Sequence, residues 1–352
     1  MKRNYGIDLL RITAMLFVII LHITGVGGIC IGSELLSAHF LTAQFLRIAT
    51  TCSVNCYALI SGYVGWNRSP KLSSLLNLWA KVVCFCVSIT VIARLPAPEL
   101  VGWADLKKAL TPATSGVYWY FSAYAVLFFF TPILNHGIRH ISRREAILAL
   151  GGIAAAVFCI PVTSLGSVFA LGGGYSAVWL MILYLAGGLM GRFEVTTRLS
   201  KGQWAGLYLL AVLANYVPRM VLLVLRPELW TPDNQNLMVQ YLSPTIILAA
   251  VALLGLFSQL QLSEAGIRIV AKLSPYSFGV YLLHTHPLIF QRAIVGQFTA
   301  LGTVSMPKLL GILLLAAAVI YAAGTAADWA LTKLLKLLRI DRLLKKPDQL
   351  FR

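Results

Sequence analysis

The chain has 352 residues, 59% of them hydrophobic and only 12% charged, with a net charge of +17. A soluble globular chain is roughly half apolar and a quarter charged, so this composition excludes a soluble domain and marks a polytopic membrane protein. The positive charge does not point to nucleic acid, because the basic residues lie in short gaps between apolar runs and no zinc-finger or RNP signature accompanies them.

A membrane span needs about 20 mostly apolar residues. The sequence predicts ten helices on that basis, near 7–27, 45–66, 74–95, 118–134, 146–161, 175–192, 203–225, 239–259, 275–295 and 309–332. The expected fold class is therefore an all-α polytopic bundle, with one transmembrane domain over 1–332 and a basic tail over 333–352. Lys2 and Arg3 precede a long apolar run without a small-residue cleavage site, so the first helix reads as retained rather than as a signal peptide. Most Lys and Arg fall in alternate gaps and in the tail, which predicts that both termini are cytoplasmic. The tail alternates Leu with Lys and Arg at helical spacing, as expected of a helix lying on anionic membrane lipids.

The first span, "DLLRITAMLFVIILHITG", carries Asp8, Arg11 and His22. Together with Met15 and Val18 these step by three and four, so they share one helix face. Arg11 and His22 are then separated by roughly 16 Å along the axis, with Arg11 near the cytoplasmic boundary and His22 beyond the midplane. Arg11 either snorkels and pairs with Asp8 or faces a water-filled cavity or partner; His22 lies too deep to snorkel and is either a satisfied core histidine or a cavity-facing group. A neutral imidazole at that depth suits proton abstraction from a hydroxyl.

Further along, Arg68 and Lys71 stand on the cytoplasmic side, either as ordinary positive-inside charge or as a clamp for a phosphorylated ligand. Lys81, inside the third span, extends that site or snorkels. Tyr120 and Tyr124 share a face of the fourth span, beside Trp119 and Tyr118 at its boundary. Ser274, Ser277, Tyr281 and His284 form a second polar stripe in the ninth span, and Pro287 removes the donor that would bond the Leu283 carbonyl, opening a defect near His284. His286 faces away, and His39, His136 and His140 receive no role. Cys52, Cys56, Cys84 and Cys86 read as small core residues. No zinc-like set of His, Cys and acids is visible, so no catalytic metal is expected.

The Asp-Leu-Leu-Arg start with ten residues between Arg11 and His22 resembles the first helix of the acyltransferase-3 family of integral membrane O-acyltransferases. Three further segments resemble that family in order: "CSVNCYALISGYVGW" with Ser61, followed by "NRSPKL"; "YWYFSAYAVLFFFTPILN"; and "SPYSFGVYLLHTHPLI". Asn55 stands where many relatives have proline. The resemblance implies an acyl-CoA donor, with acetyl-CoA foremost, entering from the cytoplasm of a bacterium whose inner membrane holds the protein. It implies phosphate contacts from Arg11, Arg68 and Lys71, His22 as general base on a hydroxyl of a lipid-linked or surface glycan, and Tyr281 or His284 as oxyanion donors. Direct transfer, a covalent acyl-enzyme and a homo-oligomer all stay open. The rival reading is a transporter or flippase of a glycan precursor or small metabolite, in which Arg11 and His22 line a substrate or proton path.

Overall fold

A computed structural model describes residues 3–96, 98, 101–159, 170–231, 238–344 and 348. The last two residues expected in the fifth span, 160 and 161, and most of the end of the tail lie outside the described residues. The described chain is helical, without strands. Among the described residues, five stretches are long and apolar enough to cross a membrane: Tyr5–Gly32, Leu72–Arg94, Trp119–His140, Lys201–Leu225 and Met306–Leu337.

The main helices are α1 (Tyr5–Gly25), α2 (Ala38–Thr51), α3 (Ser53–Gly65), α4 (Leu72–Arg94), α5 (Trp119–His140), α6 (Arg143–Cys159) and α7 (Ala177–Arg192). They continue as α8 (Lys201–Leu225), α9 (Pro244–Ser258), α10 (Glu264–Leu273), α11 (Ser277–His284), α12 (Pro287–Ala293) and α13 (Met306–Leu337). Two expected spans differ from a single rod. The second starts at Ala38 and breaks at Cys52 into α2 and α3, and the ninth is divided into α11 and α12. Helix α13 passes residue 332 without interruption and ends at Leu337, so the basic tail starts as a continuation of the last long helix.

Helix α1 is the hub, touching α2, α3, α9, α10, α11 and α13. Its start is fixed by Asn4, whose Oδ1 accepts from Gly6 N (2.9 Å) and Ile7 N (3.2 Å) while Nδ2 donates to the Ser258 carbonyl at the end of α9 (2.8 Å). Beside it, α3 and α7 cross at backbone contact. A Cβ on Gly62 would strike the Tyr184 carbonyl, and one on Gly187 the Leu59 carbonyl, so small residues bring these helices together as they do in lipid generally.

The break in the ninth span follows from Pro287, which has no N–H to continue α11. Helix α11 ends at His284 and α12 restarts with His286 as cap, its Nδ1 accepting from Leu288 N (3.3 Å). Termination strips partners from the last carbonyls, and the fully buried Tyr118 supplies one by donating its hydroxyl to the Leu282 carbonyl (2.9 Å). Tyr118 is thus an internal strut and not part of an aromatic belt.

Candidate active site

A cavity of about 430 Å³ runs beside α1, from Arg11 at the end that holds the N-terminus to His22 at the far end. That volume falls within the range of small-molecule sites. The one-face stripe of α1 supplies Arg11, Met15, Val18 and His22, in agreement with the three-and-four spacing.

At the near end, Arg11 donates to Asp8, whose other oxygen accepts from Arg3 Nε (2.6 Å). Asp8 is buried, and it anchors Arg11 without withdrawing it from the cavity wall. Tyr57 of α3 donates to the Arg11 carbonyl (2.6 Å) and joins the wall. Ser61 lines the cavity too, but its hydroxyl donates to its own helix at Tyr57 O (2.9 Å).

At the far end the two histidines meet. His22 Nδ1 and His284 Nε2 are 3.2 Å apart, and His284 Nδ1 lies 2.6 Å from the Val280 carbonyl. A carbonyl only accepts, so His284 Nδ1 carries its proton. In a neutral ring Nε2 is then an acceptor, and the bond between the histidines is a donation from His22 Nδ1–H. His22 Nε2 is thereby left with its lone pair. It makes no hydrogen bond among the described residues; His22 lines the cavity, and there the Phe290 ring meets the imidazole edge-on at 5.0 Å and 83°.

The remaining wall is aromatic. Tyr120 and Tyr124 stack 6.5 Å apart and both line the cavity, as do Trp119, Tyr281 and Ser277. Ser277 Oγ is 2.9 Å from the Tyr321 hydroxyl. His286 points away from His22, toward Cys86 (Nε2 to Sγ 3.6 Å).

Three of the expected donor contacts do not line this cavity. Arg68 and Lys71 are exposed in the loop before α4, although Asn135 steadies that loop by donating to the carbonyls of Gly65 (3.2 Å) and Arg68 (3.0 Å). Lys81 pairs instead with Asp328 of α13 (Nζ to Oδ1 2.7 Å), which is fully buried and also accepts from Thr332 Oγ1 (3.1 Å). An acid in an apolar span is a functional flag, so Asp328 carried a readable signal that helical spacing alone passes over. Tyr57, Tyr241 and Phe290 are wall residues without such a signal, since two lie outside the polar stripes and Phe290 follows the Pro287 break. Asn55, the departure from the family pattern, holds the wall in place. Its Nδ2 donates to the Tyr241 carbonyl (2.8 Å) and its Oδ1 accepts from Trp179 Nε1 (3.1 Å).

Residues 4–327 match the family model described as an acyltransferase domain. The chain belongs to the acyltransferase-3 family. It is therefore a membrane acyltransferase by family, and the cavity between Arg11 and His22 lies wholly inside the matched region. No curated protein and no solved structure matches this acyltransferase.

Proposed function

We propose that this acyltransferase moves an acyl group, acetyl from acetyl-CoA, onto a hydroxyl of a surface or lipid-linked glycan, with His22 as general base. In this reading ten spans cross a bacterial inner membrane, both termini are cytoplasmic and the donor enters at the Arg11 end. The observation that carries it is the relay from the Val280 carbonyl through His284, which leaves the Nε2 lone pair of the cavity-lining His22 without a hydrogen bond. The acceptor hydroxyl gives its proton to Nε2 as its oxygen bonds to the thioester carbon. Collapse of the tetrahedral adduct breaks the C–S bond, and the proton passes from Nε2 to the departing thiolate. Both nitrogens of His284 are engaged, so its part is to hold and polarise His22, and Tyr281 is the wall hydroxyl suited to the oxyanion. Arg11 at the cavity's near end, with Arg68 and Lys71 in the loop before α4, supplies cations for the donor's phosphates.

The test is release of free thiol from acetyl-CoA by the purified protein in the presence of candidate glycans. His22→Ala is expected to lower turnover about 10²–10⁴-fold, the usual contribution of a general base, at unchanged thermal stability. Thiol release that survives His22→Ala defeats the assignment. Solute flux without CoA consumption replaces it with the transporter reading.

A further inference from the structure

A second hollow, of about 900 Å³, takes no part in the reaction above. It is a groove walled by Ile12 and Leu16 of α1, Lys272 of α10, and Ala318, Ala322 and Trp329 of α13. Ile12 and Leu16 each follow a residue of the Arg11 stripe, so the groove runs along the same half of α1 on a different face. Its back meets the wall of the candidate site: Pro275 lines both spaces, and the Tyr321 hydroxyl of the groove lies 2.9 Å from Ser277 Oγ of the other.

The lining of α13 changes character along its length. Ala318, Ala322, Thr325 and Trp329 step by four, three and four, so one face of the helix runs from methyl groups through a hydroxyl to an indole. One turn further on, the Lys333 ammonium stands 3.8 Å from the centroid of the Trp329 ring. Lys272 brings a second cation to the groove, exposed and in no ion pair among the described residues. Apolar floor, hydroxyl, aromatic ring and ammonium follow the order of chain, ester, interface and phosphate across one leaflet of a bilayer. Thr325 itself lacks the usual helical partner. Thr24, Thr50 and Thr285 each donate to the carbonyl four residues before them, whereas the Thr325 hydroxyl makes no hydrogen bond among the described residues. A turn about χ1 to the second rotamer open to a helical threonine offers that hydroxyl to an ester oxygen in the groove.

We propose that this groove seats one anionic glycerophospholipid, with an acyl chain over Ala318 and Ala322, an ester carbonyl at Thr325 and the phosphate met by Lys272 and Lys333. A polyprenyl phosphate shares the charge and the chain but has no ester for Thr325, so the glycerolipid is the better match. The proposal concerns binding alone and does not rest on the acyltransferase reading.

The experiment titrates the full chain in detergent with phosphatidylglycerol, phosphatidylcholine and undecaprenyl phosphate, and counts the lipids retained by native mass spectrometry. One phosphatidylglycerol is expected to bind about fivefold or more tighter than phosphatidylcholine, since each lysine near an anionic headgroup is worth about 1 kcal/mol. Lys272→Gln is expected to lower that preference about fivefold, and Ala322→Phe to weaken both lipids by filling the groove. Thr325→Val is expected to weaken ester-linked phosphatidylglycerol and to leave its ether-linked analogue unchanged; equal effects on the two remove the ester contact and with it the choice of a glycerolipid. Equal retention of phosphatidylglycerol and phosphatidylcholine by the unaltered protein overturns the proposal and needs no variant to fold. A preference for phosphatidylglycerol that survives both Lys272→Gln and Ala322→Phe in folded protein places the lipid elsewhere. Tighter retention of undecaprenyl phosphate makes the groove a site for a polyprenyl carrier, and a lipid-free dimer that Ala322→Phe abolishes gives it to a second copy of the chain. Each of these three results also overturns the proposal.

Discussion

The two ends of α1 hold their ionisable groups by different means. At the near end cations are met by a carboxylate, Arg11 and Arg3 sharing Asp8, and a third cation, Lys81 of α4, likewise has Asp328. At the far end His22 is met by another imidazole, and that chain terminates on the Val280 carbonyl with no carboxylate in it. A carboxylate partner neutralises a fixed charge in place, which suits an anchor. A neutral relay instead orients a ring and adds no charge, which suits a proton acceptor deep in lipid, where each net charge costs several kcal/mol. In the proposed reaction the near end keeps charge still and the far end lets one proton move.

The largest effect expected from breaking this contrast is at the buried ion pair. Asp328→Leu leaves Lys81 uncompensated beside a fully apolar position and should cost about 3–5 kcal/mol, seen as loss of folded protein in detergent. Adding Lys81→Met should recover most of that loss, because removing both partners of a buried pair is often close to neutral. The same double variant sharpens the donor site. An unchanged KM for acetyl-CoA makes Lys81 a structural cation, whereas a tenfold rise returns it to the donor contacts.

Next comes the relay. His284→Leu removes the acceptor of His22 Nδ1–H and frees the ring to adopt the other tautomer, with an expected fall in kcat of about 10²-fold or more at similar KM. His284→Gln can offer a carbonyl oxygen to His22 and should restore part of the rate. Equal losses in the leucine and glutamine variants, with a normal melting temperature, would show that His284 does not act through the His22 proton.

How far these features were legible depends on whether periodicity or tertiary contact fixed them. The stripe Asp8, Arg11, His22 and the stripe Ser277, Tyr281, His284 each obey one helix, so spacing placed them on one face before any packing was known. That the two stripes meet at His22 and His284 is a long-range fact, separated by 262 positions in the chain, and no local rule reaches it. The Pro287 defect was legible from the missing N–H, but Phe290 was not, because the chain changes direction at the break and the helical register is lost. The division of the second span at Cys52 carries no proline or glycine at that position, so no local signal announces it and backbone geometry decides it. Charge bias singles out Arg68 and Lys71 ahead of α4, yet their exposure shows that such bias locates a loop and not a pocket.

A smaller effect is expected at Asp8. Asp8→Asn keeps the shape but halves the charge-assisted bonding of Arg3 and Arg11, so Arg11 loses its fixed position on the cavity wall. The expected outcome is a rise in KM for acetyl-CoA of about tenfold with kcat little changed, since the damage is to binding and not to the base. A fall in kcat with KM unchanged would mean that the near-end cluster governs the chemistry at His22, which the contrast between the two ends forbids.

The smallest effect lies on the tail. Helix α4 begins after Lys71 without a cap from its own chain neighbours, and the first-turn amide of Ser73 donates instead to Asp348 Oδ1 (2.9 Å), with the Ser73 hydroxyl bonded to the other oxygen. A carboxylate thus occupies the positive end of a 23-residue helix, immediately after the loop that carries Arg68 and Lys71. Asp348→Ala should cost about 1 kcal/mol or less in stability, the worth of a cap. If the donor's phosphates approach this same helix start, removing the resident carboxylate also removes a competitor, and KM for acetyl-CoA should fall by about two- to threefold, within what helix-end charge is worth. A KM that rises instead would mean that Asp348 steadies the donor's entrance and does not compete for it, and an unchanged KM would move the phosphates away from α4 toward Arg11 alone.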